Sequence, residues 1–215
     1  MKIFLFFGII FSFIACNKSH SESTIEKKSK SMETNSNKLD TITLGAGCFW
    51  CVEAVFQRLN GIHSVQSGYC NGNTAKPSYE DVCTGTTGYA EVCQLTYDPT
   101  VVGFEEILEV FFKTHDPTTL NKQGADVGTQ YRSGIFYHTE AQRLTAEKIL
   151  KEITVEKIYA NPIVTEIKQV TDYYKAEDYH QNYYNENSNQ SYCSFVITPK
   201  LEKFEKIFKS KMKSK

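Results

Sequence analysis

The chain has 215 residues, 40% of them hydrophobic and 13% aromatic, which is ample material for one ordinary core and excludes disorder of the whole. Basic and acidic residues balance at 24 to 25, so no global field draws the protein to nucleic acid, and the only dense basic run covers residues 206–215. Seven cysteines are too few for a disulfide-dense miniprotein yet more than packing alone asks of this length, which directs attention to thiol chemistry.

Lys2 precedes an apolar run over residues 3–14, shorter than the roughly 20 residues a spanning helix needs and suited to the core of a cleaved secretion signal. It ends Phe13-Ile14-Ala15-Cys16, which resembles the bacterial lipoprotein signal, with Phe13 in place of the usual leucine. Residues 1–15 are therefore read as a signal peptide and Cys16 as the lipidated mature N-terminus. An ordinary secreted protein or an uncut signal anchor is the other reading. Residues 16–40 are rich in Ser, Lys and Glu, a composition that cannot offset chain entropy and reads as a tether. The expected location is the cell envelope, membrane-anchored and facing the periplasm or exterior, or secreted without lipid. Asn17 is not an acidic retention residue, which leans toward an outer membrane.

One domain is expected over residues 41–215. Residues 41–44 are β-prone. Val52, Val55, Phe56 and Leu59 then form one apolar stripe of a helix, with Cys48 in its first turn and Gly61 suited to end it. Residues 62–69 read as a strand and 71–88 as a long loop. Residues 90–97 read as another strand, in which Glu91 shares parity with Cys93, Leu95 and Tyr97, so a carboxylate is placed on the more apolar face.

Phe104, Ile107, Leu108, Phe111 and Phe112 mark a second helix ending near Asp116-Pro117, followed by a Gly-rich loop to Thr129. Residues 131–138 read as a strand. Thr139 and Gln142 make a capping-box pattern before a helix carrying Ala146, Ile149, Leu150 and Ile153. Residues 163–170 suggest a further strand, residues 172–189 are Tyr- and Asn-rich without clear period, and Leu201, Phe204 and Phe208 support a last helix. The alternation predicts a two-layer α+β sandwich.

The thiolate is the reactive form of cysteine, and a helix N-terminus stabilises it. Cys48 has that position, Gly45-Ala46-Gly47 leaves room for a ligand, and Cys51 lies one helical turn on, within reach of a disulfide. Half of a zinc site and a purely structural pair are the competing readings; no second Cys-x-x-Cys pair completes a metal site.

Gly47-Cys48-Phe49-Trp50 resembles the active-site signature of the peptide methionine sulfoxide reductase A family. Pro77 through Gly85, Gly88-Tyr89-Ala90-Glu91-Val92, His115-Asp116-Pro117, Gln123 through Ser133, Ala176 through Gln181 and Tyr192-Cys193-Ser194-Phe195 resemble the same family in the same order. The resemblance implies a ferredoxin-like core with a mixed, mainly antiparallel sheet and a long C-terminal coil. It implies reduction of methionine-S-sulfoxide, in proteins and as the free amino acid, through a cysteine sulfenic acid and an intramolecular disulfide.

By that resemblance Cys48 attacks the sulfoxide sulfur and Glu91 is the acid, its pKa raised by burial. Tyr79 and Tyr131 hold the sulfoxide oxygen, Asp126 orders that network, and Phe49 and Trp50 receive the S-methyl group. Cys193, in an expectedly mobile C-terminal segment, and Cys51 are the resolving candidates, with Cys193 favoured. His180 supports the site, and Cys70, Cys83 and Cys93 have no redox role. No bound cofactor or metal is expected. A thioredoxin-like partner supplies electrons, and the protein is expected to be a monomer. Cys48 is expected to be ionised and to face a protonated Glu91 across a small apolar cup. The alternative is a general thiol-disulfide oxidoreductase using Cys48 and Cys51.

Overall fold

A computed structural model describes residues 38–214; the expected signal peptide, Cys16 and most of the tether lie outside the described residues. In chain order the elements are β1 (Asp40–Ala46), α1 (Phe49–Phe56), β2 (Ile62–Cys70), α2 (Tyr79–Cys83), β3 (Ala90–Tyr97), α3 (Phe104–Thr114), β4 (Lys122–Gln123), β5 (Asp126–Val127), β6 (Ser133–Tyr137), α4 (Glu140–Val155), β7 (Glu166–Gln169), β8 (Tyr174–Lys175), α5 (Tyr183–Glu186) and α6 (Thr198–Phe208). Six strands form one sheet in the order β7-β6-β1-β3-β2-β8. All its pairings are antiparallel except β6 with β7. The fold is α+β with a mixed, mainly antiparallel sheet, as the strand and helix pattern predicts.

The sheet's central strands, β1 and β3, are largely buried on both faces, so that polar Thr43 and Glu91 are buried along with Ile42, Leu44, Val92, Cys93 and Leu95. α1 packs on β2 and β3, while α4 covers β6 and β7. Ile42, Leu44, Leu59, Leu95, Ile107, Leu108, Phe111 and Phe204 are almost fully removed from water in one continuous core. Each such side chain contributes about 1.5–3 kcal/mol. The α4 capping box is made as predicted, with the Gln142 N–H donating to Thr139 Oγ1 at 3.2 Å and Gln142 Oε1 accepting from the Thr139 N–H at 3.3 Å.

Two local readings change. The expected loop over residues 71–88 contains α2, nucleated by a capping box in which the Ser78 hydroxyl accepts the Asp81 N–H and the Asp81 carboxylate accepts the Ser78 N–H. Cys193, on the segment expected to be mobile, starts a π-helical turn, Cys193–Ile197, that runs into α6, and its side chain is buried in the core. The apolar residues Cys193, Ile197, Leu201, Phe204 and Phe208 form the inward stripe that holds this segment down.

Candidate active site

The site is built where β1 leaves the sheet and α1 begins. Gly47 makes the turn with φ +87°, and a Cβ there would meet Gln123 Cβ at 2.6 Å, so both conformation and space call for glycine. Cys48 follows as the N-cap of α1, one residue before the helix proper, with no side-chain capping bond. Its side chain is buried, at 8% exposure, and so is that of Cys51 on the next turn. The Cys51 N–H donates to the Cys48 carbonyl at 3.1 Å, which keeps the two thiols on one side of the first turn.

Strand β3 brings Glu91 to the same point. Its carboxylate accepts the Phe49 N–H at 3.1 Å and is 1% exposed. Burial pushes its pKa up to about 8, against the opposing Phe49 hydrogen bond, so the carboxyl keeps its proton at neutral pH. Burial is the main cause that pushes Cys48, Tyr79 and Tyr131 upward, and an ionised Glu91 would add to it in each, which places all three near that carboxyl.

The two thiols perturb each other in opposite directions. Burial first, then Cys51 and Glu91, push Cys48 well above the ordinary thiol range. Its interaction with Cys48 pulls Cys51 down to about 6 despite burial. Burial beside a second acid thus opposes the ionisation of Cys48 that the helix start favours.

Aromatic side chains wall the pair. Phe49 packs at ring-centroid distances of 5.8 Å from Tyr69 and 6.4 Å from Tyr79. The Trp50 ring is stacked on Tyr183 at 3.7 Å, and its indole N–H donates to His180 Nδ1 at 3.2 Å. His180 is buried against Phe49 and Tyr79 and does support the site. Since Nδ1 accepts from Trp50, the neutral ring carries its proton on Nε2, which faces Glu177 Oε2 at 3.8 Å. Glu177 also accepts the Tyr69 hydroxyl and the Tyr79 N–H, tying α2 to the C-terminal segment.

Asp126, at the start of β5, accepts the Tyr192 hydroxyl at 2.8 Å, and that hydroxyl stands 3.8 Å from the Cys51 sulfur. The structure therefore gathers Cys48, Cys51, Phe49, Trp50, Tyr79, Glu91, Asp126 and Tyr131, and adds Tyr192, Tyr183 and Glu177. The sequence analysis gave these three no role: Glu177 and Tyr192 stand in segments noted only for their resemblance, and Tyr183 in the Tyr- and Asn-rich stretch without clear period. Cys193 adjoins Tyr192 but is turned into the core. Cys70 and Cys93 are buried on strands and Cys83 is exposed on α2. Among the described residues no group of three His, Cys, Asp or Glu is arranged to hold a metal.

The decisive comparison is with the family model described as peptide methionine sulfoxide reductase, which matches residues 40–212. The chain belongs to the peptide methionine sulfoxide reductase family. It is 53% identical over 175 residues to peptide methionine sulfoxide reductase MsrA of Saccharolobus solfataricus, covering 81% of this chain and 98% of the relative. It is 51% identical over 178 residues to the MsrA of Polynucleobacter asymbioticus, covering 83% and 94%.

Among solved structures it resembles reduced Mxr1 from Saccharomyces cerevisiae, with a TM-score of 0.68, 40% identity, and coverage of 76% of this chain and 94% of the other. Methionine sulfoxide reductase A of Corynebacterium diphtheriae follows at 0.66, with 36% identity and coverage of 69% and 75%. The protein is a methionine sulfoxide reductase, an oxidoreductase, and the general thiol-disulfide alternative gives way to that activity.

Proposed function

We propose that this reductase repairs methionine-S-sulfoxide in proteins, and reduces the free amino acid, with Cys48 as nucleophile, Glu91 as acid and Cys51 as first resolving thiol. The carrying observation is the buried Glu91 carboxyl, held by the N–H of the residue that follows Cys48. Sulfoxide oxygen leaves only when protonated, and an acid near pKa 8 keeps its proton at neutral pH.

With the sulfoxide sulfur against Cys48, the methyl lies toward Phe49 and Trp50, where sulfur and aromatic edges attract. The oxygen lies toward Glu91, Tyr79 and Tyr131, and Asp126 orders that side through Tyr192. Three substituents so fixed admit one hand of the sulfoxide, with the fourth leading out to solvent. This argues for one epimer, and the motif resemblance assigns the S form.

As the Cys48 sulfur bonds to the sulfoxide sulfur, its proton passes to the neighbouring Cys51 thiolate, and Glu91 protonates the oxygen. The hydroxyl then passes to the Cys48 sulfur: the S–O bond to the substrate sulfur and the bond between the two sulfurs break, one electron pair stays on the departing methionine and the other forms the new S–O bond, leaving Cys48 as sulfenic acid. Cys51 then attacks that sulfur: the S–S bond forms, the S–O bond breaks, and the Cys51 proton leaves with the oxygen as water. Cys51 precedes Cys193 because it stands on the same first turn as Cys48, its N–H bonded to the Cys48 carbonyl, whereas Cys193 is buried in the core and reaches the pair only after its helical turn opens. The disulfide needs two electrons from outside, which a thioredoxin-like dithiol supplies by exchange.

The enzyme works as a monomer, held at the cell envelope by a lipid on Cys16. The support for this location is the apolar run and cysteine of residues 3–16. The catalytic reading is tested by supplying each epimer with dithiothreitol and measuring methionine. Turnover of the S epimer alone is expected; equal turnover of both, or none of the S form, contradicts it.

A further inference from the structure

A small cavity beside Cys51 is lined by Cys51 itself, Ala46, Val52, Val55 and Phe56 together with Thr114, His115 and Lys200. Its lining is mainly apolar, so a charge there is screened less than at the surface. Lys200, in the first turn of α6, is half-buried there. Among the described residues no carboxylate lies within ion-pair distance of its ammonium. Its field reaches both Cys51 and His115.

We propose that Lys200, which lines the same cavity as Cys51, is a positioning residue for the recycling half of the reaction and holds Cys51 as the thiolate that attacks oxidised Cys48. The proposal rests on the reading of Cys51 as the resolving thiol and adds what makes it reactive.

The other groups facing Cys51 do not supply that charge. Cys48 and Tyr192 contribute hydrogen bonds. Asp126 and Glu91 are acids whose ionised forms oppose a thiolate, and Cys93 and Cys193 are buried thiols raised by burial. His115 is neutral: burial depresses it to about 4, Nδ1 donates to the Phe111 carbonyl at 2.6 Å, and Nε2 accepts from the Ser133 hydroxyl at 2.8 Å. Lys200 is thus the cation on the Cys51 side of the site.

Its role falls in the second half because Cys51 takes up a proton while Cys48 attacks substrate and must release it before closing the disulfide. Cys51 sulfur forms the new S–S bond, the Cys48 S–O bond breaks, the proton freed from Cys51 joins the departing oxygen, and water is released. The sulfenic sulfur is reduced and the Cys51 sulfur oxidised, so electrons balance without a further reagent. A nearby cation lowers the cost of the ionised Cys51 on that path.

The test compares the full chain with Lys200→Met and Lys200→Arg. Without substrate, thiolate absorbance at 240 nm is titrated, with Cys51→Ala identifying the Cys51 step. That step is expected near pH 6, displaced upward by about one pH unit in Lys200→Met and restored in Lys200→Arg. In single turnover at pH 6.5, Cys48–Cys51 disulfide formation in Lys200→Met slows by about threefold, the ratio of Cys51 thiolate fractions for steps near pH 6 and pH 7.

An unmoved titration step in Lys200→Met overturns the proposal, as does disulfide closure at the wild-type rate. Formation of Cys48–Cys193 as the first disulfide overturns both this proposal and the resolving role of Cys51. Absence of the methionine burst in the unmodified chain instead sinks the catalytic reading, while the substrate-free titration still judges Lys200.

Discussion

Phe49 donates its backbone N–H to the Glu91 carboxylate at 3.1 Å, which fastens a strand residue to the peptide immediately after Cys48. The bond couples the acid's position to the nucleophile's, so neither moves alone. It also opposes, without cancelling, the burial that lifts Glu91 to about 8.

Glu91→Gln keeps an acceptor for Phe49 but has no proton to give. Single-turnover methionine formation is expected to fall by about 10²–10⁴-fold with substrate affinity retained. In the unmodified enzyme the first reductive step should decline as pH rises through about 8, where Glu91 loses its proton. A pH profile flat through that region contradicts the assignment.

The same substitution should stabilise the fold. The folded pKa of about 8 exceeds the ordinary 4.5, so the folded state binds the extra proton. Stability relative to the unfolded chain is highest below 4.5 and falls as pH rises from 4.5 to 8. Gln removes that slope, and urea unfolding at pH 7.5 should show a gain of about 3–5 kcal/mol.

Glu53 is buried on α1 and accepts the N–H groups of Asn182 at 2.8 Å and Tyr183 at 3.1 Å. Asn182 has the left-handed φ of 55°, so this turn needs an external anchor. Glu53→Ala leaves two N–H groups without an acceptor and should cost about 2–4 kcal/mol by chemical denaturation. Amide exchange at residues 182–183 should accelerate, and KM should rise because Tyr183 no longer braces Trp50.

The strands and helices were legible in the sequence wherever one face is apolar at a regular spacing, as in β3, α3 and α4. Glu91 was legible too, because its parity with Cys93, Leu95 and Tyr97 puts it on a buried strand face. α2 was readable in principle from Ser78 and Asp81, three residues apart, but five residues give no periodicity. Tyr183, Tyr192 and Glu177 were hidden because their roles come from contacts with residues 66 to 141 positions away in sequence. A helix terminus beside Cys48 is visible in a sequence, whereas the burial and paired thiol that push Cys48 up and Cys51 down are not.

Gly47→Ala should be among the most damaging single-methyl changes. It meets Gln123 at 2.6 Å and places a side chain at φ +87°, a strain of about 1–3 kcal/mol. Loss of activity beyond the loss of stability is expected, since Cys48 is the next residue. A variant with wild-type kcat/KM and melting temperature would show that the turn tolerates displacement.

The most direct measurement is a single turnover of the S epimer without reductant, quenched by acid and mapped by mass spectrometry. One methionine per protein, accompanied by a new disulfide from Cys48 to Cys51, is the expected result. Methionine formed while Cys48 remains an unmodified thiol would contradict the account at its centre.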